Sequence, residues 1–120
     1  IYRNKIILSG FVDIKKISEF YSISDLFILL STYDPSPKTL NEALNFGIPC
    51  IVSRQIGTSK DLIKNGINGF VLDNSNKFKV YNYIKRIFFD KNINNKTFIY
   101  NKNKLKLYSP EQNAKILFQN

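Results

Sequence analysis

The stretch Leu26-Phe27-Ile28-Leu29-Leu30-Ser31-Thr32-Tyr33-Asp34-Pro35-Ser36-Pro37-Lys38-Thr39-Leu40-Asn41-Glu42-Ala43-Leu44 decides how this chain folds. Its first five residues are apolar without in-out alternation, which predicts a strand buried on both faces, as in a parallel sheet covered by helices. A loop from Ser31 to Ser36 follows, then a helix to about Phe46 that Gly47 ends. Ser36 reads as the helix cap and Pro37 as the first helical residue.

Outward from this segment the pattern repeats. Upstream, Lys5-Ile6-Ile7-Leu8-Ser9 reads as a short strand stopped by Gly10. Asp13 to Tyr21 reads as a helix, with Asp13 its cap and Ile14, Ile17, Phe20 and Tyr21 at helical spacing. Downstream, Ile48 to Ser53 and Gly69 to Leu72 read as strands, with Gly66 and Gly69 serving the turn into the second. After Asn76 the spacing of Phe78, Tyr81, Ile84, Ile87 and Phe88 describes an amphipathic helix. A basic, helix-compatible stretch follows, and Ser109-Pro110 opens a further helix with Ala114, Leu117 and Phe118 inward. Strands alternating with helices over connections too long for hairpins predict the α/β class, a Rossmann-like parallel sheet flanked by helices and wound by right-handed crossovers.

Composition narrows the chemistry. The chain has 120 residues, enough for one domain. Being 43% hydrophobic and 22% charged it is globular in type, and it contains no apolar run near the roughly 18 residues that span a bilayer. Without His and with Cys50 alone, these residues hold no Ser-His-Asp triad, Cys-His pair, zinc cluster or internal disulfide; Cys50, inside Ile48-Pro49-Cys50-Ile51-Val52, reads as a core residue. No metal site is expected. A chain that starts at Ile1 and lacks Met is expected to be part of a longer protein, and no leader pattern opens it, so the cytoplasm is the expected compartment.

Residues 1–60 carry 7 basic and 5 acidic side chains, residues 61–120 carry 11 and 4, so the net charge of +9 sits mainly in the second half. The five lysines between Lys91 and Lys106 offer attraction to nucleic acid or to an anionic membrane. Ile, Lys and Asn make up 47 of the 120 residues, and an AT-rich coding sequence filling solvated positions explains the same skew. A basic module binding nucleic acid or anionic lipid is therefore one alternative function.

In open α/β sheets ligands bind beyond the carboxyl ends of the strands. There, the free N–H groups of Lys38 and Thr39, the positive end of the helix dipole, the Lys38 charge and the Thr39 hydroxyl make a natural phosphate site. Glu42, a turn and a half further in, flanks the apolar face of Leu40, Ala43 and Leu44, and a shielded carboxylate there accepts two hydrogen bonds from a diol such as a ribose. The plainer reading is that Ser36-Pro37 simply starts a helix, that Glu42 is a favourable charge in its early turns, and that Asp34-Pro35 is an ordinary turn. The five glycines match neither the dinucleotide fingerprint nor the Walker pattern.

Taken in order, these pieces resemble the second half of the donor domain of GT-B glycosyltransferases, the retaining family 4 group. The pieces are Gly10-Phe11-Val12; Ser24 to Ser31 for an Ala-Asp-Leu-Phe-Val-Leu-Pro-Ser run; Asp34 and Glu42 for two acids separated by seven residues; Ala43 to Ile51 for Ala-Met-Ala-Cys-Gly-Leu-Pro-Val-Val; Gly57 to Ile63; and Asn65 to Leu72. The resemblance implies that residues 1–120 are the C-terminal part of a nucleotide-sugar domain whose acceptor domain lies elsewhere. It implies a hexosyltransferase of polysaccharide biosynthesis, with a UDP- or GDP-sugar donor, no other cofactor, no obligatory metal, and a glycan or lipid-linked acceptor.

Carried over by residue, the resemblance makes Asp34 and Glu42 the catalytic pair. Glu42 holds the ribose, Asp34 lies near the donor sugar, Thr39 and Leu40 offer N–H groups to the diphosphate, and Gly10-Phe11-Val12 lie beside the base. Ser36 and Lys38 complete the donor-binding set. The sequence departs from the family where Asp34 replaces Glu, Pro37 replaces Gly and Lys38 replaces an apolar residue. The family's phosphate-binding Arg and Lys precede these residues, so the chain alone is expected to be inactive. Peripheral contact with an anionic membrane at its inner face is a further expectation, nucleic acid is not an expected partner, and a sugar-nucleotide epimerase of related fold is the other alternative.

Overall fold

Three short parallel strands organise the chain in a computed structural model that describes residues 5–73 and 76–106. The elements run α1 (Ile14–Ser22), β1 (Phe27–Leu29), α2 (Lys38–Asn45), β2 (Cys50–Ser53), α3 (Ser59–Leu62), β3 (Gly69–Leu72), α4 (Lys77–Phe89) and α5 (Lys91–Lys106). The sheet order is β1-β2-β3, with Phe27 beside Cys50 and Cys50 beside Gly69. The strands are short, and flanking bonds extend the ladders: Phe27 N–H to Pro49 carbonyl, 3.0 Å, Cys50 N–H to Asn68 carbonyl, 3.0 Å, and Arg54 N–H to Leu72 carbonyl, 2.9 Å.

Side-chain alternation splits the core into two layers. Cys50 and Val52 face Tyr21, Leu40, Ala43, Leu44 and Leu62, with Phe27, Leu29 and Val71 packed alongside. Ile51 faces the other way onto Phe70, Ile87 and Ile93, with Leu26, Tyr83 and Ile84 beside them. All four residues of the central strand β2 are buried. This is the α/β, Rossmann-like sheet with helices on both faces that the alternation predicts.

Local signals explain the element boundaries. Asp13 caps α1 by accepting the Lys15 N–H at 2.8 Å, and Asn76 caps α4 by accepting the Phe78 N–H at 2.9 Å. Gly47, at φ 73°, ends α2 in a paired closure: its N–H bonds the Leu44 carbonyl at 3.0 Å and the next N–H, of Ile48, bonds the Ala43 carbonyl at 3.1 Å. Gly69, at φ 152°, passes so close to the Cys50 backbone that any Cβ would strike its carbonyl.

Four expectations are corrected. Lys5 to Ser9 form no strand: the segment has no ladder partner among the described residues, and Ile6, Ile7 and Leu8 are exposed. Strand propensity alone does not satisfy backbone groups, which need a neighbour. β1 is not buried on both faces, because it is the edge strand of this sheet and Ile28 remains 42% exposed. Of the stripe expected to face inward on α4, only Ile84 and Ile87 pack, and Phe78, Tyr81 and Phe88 lie on the opposite side. On α1, likewise, Tyr21 and Ile17 pack while Ile14 and Phe20 are exposed.

The asparagines are not only solvated filler. Asn68 and Asn101 are buried, and Asn68 accepts the Lys64 N–H at 2.7 Å while its amide donates to the Leu62 carbonyl at 2.9 Å and to Asn101 Oδ1 at 2.7 Å. Thr97 Oγ1 donates toward the Ile67 carbonyl, 2.9 Å, so α5, helical as its composition allowed, is pinned to the turn before β3. The helix expected from Ser109 lies outside the described residues. No helix among the described residues is long and apolar enough to cross a membrane.

Candidate functional site

The loop between β1 and α2 is built on Asp34. Its Oδ1 accepts the Ser36 N–H at 3.1 Å, an Asx turn that folds the chain back just before the helix. Its backbone pairs with Ile56 of the loop after β2, and its carbonyl accepts the Gly57 N–H at 3.0 Å. Gly57 abuts Pro35 so closely that a Cβ there would stand 2.5 Å from the Pro35 carbonyl oxygen. Ser53 Oγ donates to the Ser31 carbonyl at 2.5 Å. Two successive strand-to-helix loops are thus fastened together at the carboxyl edge of the sheet.

The start of α2 differs by one residue from the expected one. Pro37, at φ −68° and ψ 124°, is itself the cap, and Ser36 does not cap the helix with its side chain. Asp34 turns the chain one residue earlier, taking the Ser36 N–H and leaving Pro37 in extended backbone outside the helix. The helix then opens with Lys38 and Thr39, whose N–H groups precede the first intrahelical acceptors. The Leu40 N–H bonds the Pro37 carbonyl at 3.2 Å, and the Leu40 side chain is fully buried. Of the N–H groups expected to serve a phosphate, those of Lys38 and Thr39 stand at the open helix start, and that of Leu40, offered by the resemblance, is already partnered. Ser36, Lys38 and Thr39 are solvent-exposed, as an anion site requires.

Glu42 is half-buried one turn further along, and a neighbour holds it. Tyr21 Oη donates to Glu42 Oε2 at 2.9 Å, with the Thr39 carbonyl 3.5 Å from the same hydroxyl. The Tyr21 ring is buried, stacked on Phe46 with centroids 5.4 Å apart and tilted against Phe27 at 6.2 Å. Burial, then the hydrogen bond to Glu42 and the negative charge of that residue, push the Tyr21 hydroxyl up to about 12. Tyr21 is therefore a proton donor throughout the neutral range. It occupies one acceptor site of the carboxylate, leaving the remaining lone pairs open to further donors.

Gly10-Phe11-Val12 stand apart from this arrangement. Gly10 takes φ 61° and Phe11 is 98% exposed. Phe11 and Val12 line a hollow with Asp13, Lys15, Lys16 and Phe20 at the start of α1, to which no residue of 31–42 contributes. A second hollow beyond β2 and β3 is lined by Arg54, Lys60, Lys64 and Asp73, with Arg54 and Asp73 joined at 3.1 Å in an exposed pair of small energetic weight.

Four residues near the site had no role assigned in the sequence reading. Tyr21 was read only as one of the residues at helical spacing on α1, and nothing in that spacing linked it to Glu42. Gly57 entered the sequence reading only as the start of the Gly57 to Ile63 piece of the resemblance, and its contact is with a carbonyl 22 residues away in sequence. Thr58 Oγ1 and Ser59 Oγ, adjoining Gly57, are buried and lack a hydrogen-bond partner. Among the described residues no group of three or more His, Cys, Asp or Glu is arranged to hold a metal ion.

Comparison with known proteins matches residues 2–105 to the family described as glycosyl transferases group 1. A lipopolysaccharide 1,6-galactosyltransferase of Salmonella typhimurium is 45% identical over 42 residues, covering 35% of this chain and 12% of its own length. An Escherichia coli UDP-Gal:alpha-D-GlcNAc-diphosphoundecaprenol alpha-1,3-galactosyltransferase is 35% identical over 71 residues, 59% of this chain and 18% of its own. An uncharacterised glycosyltransferase of Methanocaldococcus jannaschii is 31% identical over 67 residues, 56% of this chain and 17% of its own. The chain thus matches under a fifth of each of these relatives.

Proposed function

Since the chain belongs to the group 1 glycosyltransferases, we propose that it forms the C-terminal part of the donor site of a GT-B, retaining hexosyltransferase. The observation that carries this reading is the Tyr21-held carboxylate of Glu42 on the same helix as the open N–H groups of Lys38 and Thr39. A nucleoside diphosphate sugar presents matching groups at matching places. Its ribose diol donates to Glu42, and its diphosphate meets the two N–H groups, the Lys38 ammonium and the Thr39 hydroxyl.

In transfer, the sugar–phosphate bond breaks and negative charge grows on the leaving nucleoside diphosphate. The start of α2 faces that charge with preorganised dipoles and one full positive charge, which lowers the barrier in proportion to the charge that develops. Asp34, held by its Asx turn, is assigned to the sugar. Gly10-Phe11-Val12 are assigned to the base, Ser36 to the phosphate side and Leu40 to the helix wall beneath. No metal and no cofactor beyond the donor is assigned.

The acceptor and the pathway are drawn from the relatives' names. One acts on lipopolysaccharide and one on a diphosphoundecaprenol-linked sugar, so we assign a glycan or lipid-linked acceptor, bound by chain beyond these residues. Because one relative is named for UDP-Gal, UDP is the first nucleotide to test. Family membership sets the epimerase alternative aside.

The test is an amide NMR titration of the full chain with UDP, GDP and ADP, alongside Glu42→Gln. Shifts clustered at Ser36 to Glu42 and Gly10 to Val12 are expected, with affinity falling roughly tenfold or more in the variant, because a charged acceptor is replaced by a neutral one. Nucleotide binding that leaves these residues unmoved, or that Glu42→Gln does not weaken, would overturn the reading.

A further inference from the structure

Helix α4 has two apolar faces. Tyr83, Ile84 and Ile87 pack onto the sheet through Phe70 and Ile51. On the other side Phe78, Tyr81, Phe88 and Phe89 are 80, 59, 53 and 79% exposed. Lys85 lies among them, its Nζ 5.4 Å from the centre of the Tyr81 ring. At about 100° per residue these five positions fall within an arc of about 100°, and the stripe runs about 16 Å along the helix axis. Four large rings gathered on one solvent face exceed the scattered apolar residues of an ordinary surface.

The charge around the stripe has one sign. Lys77–Phe89 contains Lys77, Lys79, Lys85 and Arg86 and no acid. Arg86 stands at the flank, 4.9 Å over the Phe70 ring. The nearest carboxylate in sequence, Asp90, caps the next helix by accepting the Asn92 N–H at 3.0 Å.

We propose that this outer face of α4 docks on an anionic lipid bilayer. The rings enter the boundary between headgroups and acyl chains, while Lys79 and Lys85 meet the lipid phosphates. Three of the four rings are phenyl groups with no hydrogen-bonding atom, and they lie on a convex helix rather than in a charged groove, which suits a bilayer better than a nucleic acid strand. A second copy of the chain fits poorly, because pairing the stripe with itself brings two helix surfaces of the same positive charge together. The inference does not depend on the donor site.

Co-sedimentation of the full chain with vesicles tests it, using phosphatidylcholine alone and phosphatidylcholine mixed with phosphatidylglycerol. Binding to the anionic vesicles is expected, weakening with salt. It should fall roughly tenfold or more when Phe78, Phe88 and Phe89 are all replaced by Ser, and fall also in Lys79→Glu/Lys85→Glu. Since the chain has no Trp, Phe88→Trp supplies a reporter that keeps the test open if the triple variant fails to fold, and its emission should shift to the blue on anionic vesicles. Glu42→Gln should bind vesicles like the parent. Absence of vesicle binding, binding that the stripe variants leave unchanged, preferential binding of a single-stranded oligonucleotide, or a dimer that the triple variant dissociates would each overturn the proposal.

Discussion

Replacing Tyr21 by Phe removes one hydroxyl and keeps the ring on Phe46, so it isolates the bond that positions Glu42. A net hydrogen bond to a charged group contributes about 1.5–3 kcal/mol, and because Glu42 is only half-buried, water can replace the lost donor. The expected loss at neutral pH is therefore near the low end, about 1.5 kcal/mol, or roughly 6 °C in melting temperature for a chain of this size. The pH profile gives a sharper criterion. The Tyr21 hydroxyl is pushed up to about 12 in the folded chain, against about 10 when unfolded. The folded state thus keeps the proton after the unfolded state has lost it, and stability that is fully present below about pH 10 declines towards about pH 12 by up to 1.4 kcal/mol per unit. Tyr21→Phe lacks this loss, so the parent's advantage should shrink and vanish near about pH 11. Urea unfolding followed by circular dichroism, on both proteins across this range, measures the difference. A gap that stays constant into the alkaline range, or no gap at neutral pH, would refute the assignment of Tyr21 as the donor that holds Glu42.

Gly57→Ala should displace the Pro35 backbone, because the new Cβ would stand 2.5 Å from a carbonyl that cannot rotate away; nucleotide affinity in the NMR titration should fall more than thermal stability does. Asn68→Ala deletes three hydrogen bonds from a fully buried site and should cost about 3 kcal/mol in urea unfolding. Burial pushes the Cys50 thiol up, away from the thiolate range, so the native chain should resist iodoacetamide and react only once unfolded, as mass spectrometry would show.

The elements that were legible are those whose causes are local. Asp13 and Asn76 cap helices through side chains two residues from the N–H they accept, and Gly47 ends α2 through its own φ. Gly69 to Leu72 form a strand with the expected limits. What failed depended on partners. Lys5 to Ser9 have strand composition and no strand, since a ladder needs a second backbone. The stripe on α4 misled because Phe78, Tyr81 and Phe88 share a helical period with Ile84 and Ile87 while lying on another face, and periodicity alone does not say which of two apolar faces meets the sheet.

The candidate site divides along the same line. Lys38, Thr39 and Glu42 were singled out because a loop leading into a helix start has a known electrical polarity, and Asp34 only through the resemblance. Tyr21 and Gly57 were not, because α1 and the loop after β2 reach the site only through the sheet. An isolated helix start is an unspecific anion site, with donors that water satisfies equally well. Here the parallel order sets the β1 and β2 loops side by side, Gly57 admits the Asp34 carbonyl, and Tyr21 fixes the carboxylate of Glu42 before any ligand arrives. On the proposed donor reading, a carboxylate already held loses less rotamer freedom on binding, a saving that should appear as affinity. The residues that set the geometry around the helix start are therefore the ones a linear reading is least able to find.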